Sequence, residues 1–152
     1  MRNRWFAMPL LMLAVPAAAQ QASVNLAVAT PLAGSWSYAR ATDGSEAVFR
    51  DSAGRPQLML RCTRSLRRVS LSKPAAAAAP ALNVWTSSTT RNVAAGFDPA
   101  VARLTVVLAS NDPLLDGIAF SRGRFAVSVV GLPALVVPAW AEPVRVVEDC
   151  RA

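Results

Sequence analysis

The chemistry open to this chain is limited first by a missing residue type, because its 152 residues include no histidine. That removes the Ser-His-Asp and Cys-His catalytic pairs, His-containing zinc sites and the usual general base near neutral pH. Two cysteines remain, Cys62 and Cys150. A thiol nucleophile needs a neighbouring base or cation to activate it, whereas two cysteines in an oxidising compartment join. A Cys62–Cys150 disulfide is therefore expected, and in the chain-entropy model closing so long a loop stabilises by roughly 4 to 5 kcal/mol.

The carboxylates are less telling. Asp112 and Asp116 stand four apart, and Glu142, Glu148 and Asp149 lie near the end. A glycosidase pair needs two carboxyls facing each other at about 5 to 9 Å, and nothing in the sequence marks Asp112, Asp116 or Glu142 for that role. Asp112, directly before Pro113, reads instead as a helix cap. No Gly-rich phosphate loop, Cys-x-x-Cys pair or calcium-loop pattern occurs. No catalytic residue, metal or cofactor is expected.

Of the 16 basic residues, all but Lys73 are arginine. Arg61, Arg64, Arg67, Arg68 and Lys73 form a stretch with no acid between them. Guanidinium groups grip phosphate and carboxylate bidentately, so this stretch suits anionic lipid headgroups, lipopolysaccharide phosphates or an acidic protein partner. The plainer reading, which is favoured, is a solvated hairpin whose charges keep an edge strand from aggregating. In Ser121-Arg122-Gly123-Arg124, the glycine can take positive φ and turn backbone N–H groups toward an anion, or simply connect two strands. Thr86-Ser87-Ser88-Thr89-Thr90-Arg91 offers hydroxyls and a guanidinium as a hydrogen-bonding surface, or forms a Thr-rich edge strand. Lys73, beside a proline loop, has no spacing that suggests a Ser-Lys dyad.

Short strands must hold these groups. Gly34–Arg40 and Glu46–Arg50 flank Asp43-Gly44 and read as a hairpin. Pro56–Cys62 puts Leu58, Leu60 and Cys62 on one face at period two, and Leu66–Ser72 repeats the pattern with Val69 and Leu71 inward and Arg68, Ser70 and Ser72 outward. Together these make a four-strand meander. Lys73–Pro80 is an Ala-rich surface loop bracketed by prolines. Further strands are expected at Ala81–Ser87, Leu104–Ala109, Arg124–Val130 and Leu132–Val137. Asp112-Pro113 opens a single helical turn packing Leu115 and Ile118, and a short helix from about Ala139 to Asp149, with Trp140, Val144 and Val147 at helical spacing, carries Cys150 to the strand of Cys62. The fold expected is all-β, a small antiparallel β-sandwich or barrel-like domain with a short C-terminal helix and one disulfide.

Arg2 and Arg4 precede the apolar run Trp5–Val15, which Pro16 ends before Ala17-Ala18-Ala19. This order is that of a secretory leader, residues 1–19, cleaved after Ala19. The run covers about 16 Å as a helix, half a hydrocarbon core, so no transmembrane segment is expected after cleavage. The remainder, residues 20–152, holds 133 residues and a net charge of +5, enough for one domain with a single core. Gln20–Pro31 is either a lead-in or an edge strand. Export and sparse aromatic residues argue against nucleic acid as a partner.

Gly34-x-Trp36, Leu58-x-Leu60-Arg61-Cys62, Val69-x-Leu71 and Phe125-x-Val127 through Gly131-Leu132-x-Ala134-Leu135 to Cys150 resemble the layout of small exported β-sandwich proteins of Gram-negative bacteria. The order is similar to that of type VI secretion-associated periplasmic proteins and, more distantly, of invasion-associated locus B-like proteins, whose second cysteine pair is absent here. Ala119–Phe125, Pro138–Glu142 and Glu148–Arg151 resemble uncharacterised exported proteins of alphaproteobacteria. The resemblance implies a fold and a compartment, and no catalytic residue. The function expected is that of a monomeric, non-enzymatic periplasmic or secreted protein that binds an envelope protein, anionic polymer or lipid headgroup. A cell-wall hydrolase using carboxylates and an inhibitor of an envelope-attacking enzyme are the alternatives.

Overall fold

The computed structural model describes residues 23–152; the expected leader, residues 1–19, lies outside them. Among the described residues, ten strands form two antiparallel sheets. The first six-stranded sheet has the order β1-β2-β3-β4-β8-β7, from β1 (Gly34–Ala41), β2 (Gly44–Asp51), β3 (Pro56–Thr63), β4 (Arg68–Pro74), β7 (Gly96–Asp98) and β8 (Arg103–Ala109). The second has the order β10-β9-β5-β6, from β5 (Ala81–Trp85), β6 (Thr90–Ala94), β9 (Arg124–Val129) and β10 (Leu135–Pro138). Two helices complete it, α1 (Pro113–Ala119) and α2 (Ala141–Arg151). This is the expected β-sandwich, with its short C-terminal helix and its Cys62–Cys150 disulfide, whose Cα atoms are 5.4 Å apart.

Alternation builds the core. Trp36, Phe49 and Leu58 face inward on adjacent strands of the large sheet, and Leu60, Leu71 and Val106 share a parallel rung. Trp36 stacks on Phe125 of the opposite sheet with centroids 6.3 Å apart, and its Nε1–H donates to Pro138 O at 2.8 Å. The small sheet covers one part of the large sheet's inner face. The rest, around Cys62 and Val69, is closed by α2 through Val146, Val147 and Cys150, with α1 packed beside it. The β1–β2 hairpin depends on a glycine: Gly44 has φ 124°, and a Cβ there would sit 2.4 Å from Cys62 O. The bare backbone lets the hairpin end close over the disulfide strand.

Several boundaries differ from the sequence reading. α2 starts at Ala141, and its buried face is Pro143, Val146, Val147 and Cys150. Trp140 instead precedes the helix, 46% exposed, and Val144 is only half-buried. Spacing alone could not choose the face, because the disulfide and the sheet beneath it set the helix rotation. α1 runs seven residues, more than the single turn expected, and buries Leu114 along with Leu115 and Ile118. Leu66 lies in a 3-10 turn before β4 and is exposed. Ser72 points outward as expected but is buried, its hydroxyl 2.9 Å from that of Thr105 across the sheet. β6 and β7, in Thr90–Asp98, carry too little alternation of large apolar residues to have been read as strands beyond Arg91. From Ser23 the lead-in forms no strand before β1; it turns at Leu26–Val28, and Leu32 N–H bonds Val136 O at 2.8 Å.

Candidate functional site

The basic stretch is divided among separate structural tasks. Arg61 meets Glu46 across β2 and β3 at 3.5 Å. Arg64 Nε reaches Asp149 O at 3.4 Å, and Arg67 reaches Arg151 O at 3.3 Å. Both therefore point at the C-terminal carbonyls of α2, where cations satisfy orphan acceptors and oppose the negative end of the helix dipole. Arg68 is exposed on β4. Lys73 sits on the inward register of β4 opposite Leu104, half-buried, with burial holding its amine below the usual lysine range.

Arg91 is also committed. It clamps Asp112 through two bonds of 2.8 Å, while the same carboxylate accepts from Leu114 N–H as the cap of α1. The Arg91 bonds hold the Asp112 carboxyl below its usual range. Asp116 pairs with Arg151 at 2.7 Å. Of the three carboxylates considered for hydrolysis, Asp112 and Asp116 are thus held by arginines, and Glu142 lies in the first turn of α2.

A small pocket of about 110 Å³ lies beside the disulfide, lined by Tyr38, Arg40, Arg64 and Asp149. Tyr38 donates to Asp149 Oδ2 at 2.5 Å, and the Arg145 guanidinium lies 4.2 Å from the Tyr38 ring centroid. The Tyr38 bond is the main cause of a lowered Asp149 pKa. Ser45 Oγ, wholly buried nearby, lacks a hydrogen bond of good geometry, though it lies close enough to Asp149 to help lower that pKa. Tyr38, Arg40 and Arg145 carried no sequence signal for this grouping, because they come from a strand and a distant helix.

A second site forms where the hydroxyl loop meets the Arg122 turn. Thr86 Oγ1 accepts from Thr89 N–H at 3.0 Å and curls the loop after β5. Gly117 of α1 makes room for it, since a Cβ there would be 3.1 Å from both Thr86 Oγ1 and Thr89 Cγ2. Ser87 N–H donates to Ser121 Oγ at 3.0 Å, and Arg122 N–H donates to Ser87 Oγ at 3.1 Å. Gly123 does take positive φ, at 75°, but the Arg122 N–H that could have faced an anion is spent on Ser87. What remains directed outward is the exposed Arg122 side chain.

Arg122, Trp85, Thr86 and Thr90 line a cleft of about 370 Å³, walled on its far side by Val24 and Leu26 of the lead-in. That volume falls in the range of roughly 300 to 1,000 Å³ typical of small-molecule sites. Trp85 supplies an aromatic face, 8% exposed, on the outer side of β5. Asn83, two residues earlier on that side, is buried with its amide nitrogen unpartnered among the described residues. Arg124, across the glycine from Arg122, donates to Ala29 O and ties the lead-in to this end of the sandwich. In the sequence Arg122 stands 31 residues after Arg91, the end of the hydroxyl run, and Trp85 shows only as part of a strand. Among the described residues, no group of three or more potential ligands stands placed for a metal ion, and no helix is long and apolar enough to cross a membrane.

Compared with known proteins, the chain matches no family model, no curated sequence and no solved structure.

Proposed function

We propose that this chain is an exported, non-enzymatic binding protein of the cell envelope that takes an anionic envelope component in the Trp85–Arg122 cleft. The secretory order of residues 1–19 supports export, and a disulfide agrees with an oxidising compartment. One observation carries the binding reading: an exposed guanidinium, a tryptophan face and the Thr90 hydroxyl border one cleft of ligand size. An aromatic face with hydroxyl donors suits a sugar ring, and a guanidinium suits its phosphate or carboxylate.

Protein expressed with its own leader and recovered from the periplasm tests it. The N-terminus should begin at Gln20, and deacylated, phosphorylated lipopolysaccharide should bind and quench tryptophan fluorescence. Arg122→Ala should weaken that binding by roughly tenfold, the scale of one charge-assisted bond. Equal affinity for Arg122→Ala and the parent would overturn the cleft assignment, and an unprocessed N-terminus would overturn export.

A further inference from the structure

Three segments meet at the same end of the sandwich. Arg124 holds Ala29 O, while Gly123 O accepts from Ala139 N–H at 3.1 Å. These bonds bring the segments of Val28 and Trp140 to the Arg122-Gly123-Arg124 turn, which Phe120 precedes by two residues; Val28, Phe120 and Trp140 are 75%, 76% and 46% exposed. Phe120 follows the last turn of α1, and Trp140 precedes the first turn of α2. Both rings therefore project from helix ends with no role in the core. A soluble surface ordinarily scatters its large apolar groups singly. Here three exposed apolar residues lie in segments that meet at one turn, which carries the exposed Arg122.

We infer that this end of the molecule docks on an anionic phospholipid surface, with Phe120 and Trp140 entering the headgroup boundary and the exposed Arg122 meeting lipid phosphate. Tryptophan and phenylalanine favour that boundary, where an apolar ring body can leave water beside a polar layer. An exposed basic side chain such as Arg122 adds attraction to anionic lipid. Glu142, in the first turn of α2, is the nearby acid and is half-buried. A lipid surface also fits the geometry better than a soluble ligand, because the exposed rings stand outside the cleft that Arg122 borders. The inference rests on the binding reading above and names the source of the anionic group, a membrane headgroup.

Cosedimentation of the processed protein with vesicles tests it. Binding is expected to phosphatidylcholine vesicles containing phosphatidylglycerol, and to fall sharply with added salt or with phosphatidylcholine alone. A Phe120→Ser/Trp140→Ser double variant, checked for an unchanged unfolding transition, should bind roughly tenfold or more weakly, the loss expected when two rings no longer leave water. Its affinity for deacylated lipopolysaccharide should stay that of the parent. Vesicle binding unaltered in the double variant would overturn the inference, as would no vesicle binding by a parent that still holds the soluble polymer through Arg122. The latter result leaves the cleft reading standing, whereas loss of both ligands in the parent removes both. Concentration-dependent self-association abolished by the double variant, without vesicle binding, would assign the rings to a contact between copies and overturn the lipid docking.

Discussion

Tyr38 donates a 2.5 Å hydrogen bond to the carboxylate of Asp149 and so fastens the edge strand β1 to the last turn of α2, one residue before the disulfide cysteine. Since that bond is the leading cause of the lowered Asp149 pKa, it also makes the fastening depend on pH. A carboxyl titrating lower in the folded than in the unfolded chain stabilises above its unfolded pKa, about 4, and loses that contribution as pH falls through the folded value. Tyr38→Phe should cost about 1 kcal/mol at pH 7. Urea unfolding from pH 7 to pH 2 should show the gap between parent and variant closing on the acid side; a constant gap would mean that the ring packing, not the bond, is lost.

Removing the disulfide should destabilise much more. A Cys62→Ala/Cys150→Ala variant is expected to lose about 2 to 5 kcal/mol, read as a lower midpoint in denaturant. Both half-cystines are fully buried, so the parent in mild reductant should keep its midpoint until unfolding exposes the bond. A midpoint unaffected by removing both cysteines would show that Arg64, Arg67 and the Val146–Val147 packing hold α2 unaided.

The Arg91–Asp112 clamp should behave as a coupled pair. Asp112→Ala removes the cap of α1 along with the two arginine bonds, for an expected cost of about 1 to 2 kcal/mol. In a double-mutant cycle with Arg91→Ala, a coupling of about 0.5 to 1 kcal/mol should appear at pH 7. It should fade in acid, since the Asp112 pKa is depressed and its protonation releases the arginine. Additive costs at pH 7 would count against the clamp.

Two glycines should respond oppositely to alanine. Gly44→Ala places a methyl against Cys62 O at a φ of 124°, with an expected cost of at least about 2 kcal/mol. Gly96→Ala meets nothing within 4 Å and has no positive φ, so thermal unfolding should change little. Comparable costs at the two sites would show that neither the close approach nor the dihedral matters.

Much of the sandwich was legible along the chain. Leu58, Leu60 and Cys62 fall inward as period two requires, the expected first hairpin forms, though its turn is Thr42-Asp43 with Gly44 opening β2, and Asp112-Pro113 starts its helix. Each rests on sterics or hydrogen bonding within a few residues. β6, β7 and the rotation of α2 were not legible, because short edge strands have weak alternation and the rotation answers to a partner 88 residues away.

The destinations of the arginines were decided only in three dimensions. Sequence alone determined that the chain has no histidine chemistry, that Cys62 and Cys150 would join, and that β-strands with one terminal helix would carry them. It presented Arg61 to Lys73 as one basic stretch, but a long guanidinium side chain selects among acceptors that folding brings near. Arg64 found a carbonyl 85 residues away, Arg67 one 84 away and Arg91 a carboxylate 21 away. The cleft at Arg122 arises in the same way: Val24, Trp85 and Arg122 belong to three segments, joined where Ser87 donates to Ser121 and accepts from Arg122 N–H, and where Arg124 holds the lead-in. Local pattern determines which way a strand's side chains point, and the packing of distant elements decides which of those side chains meet.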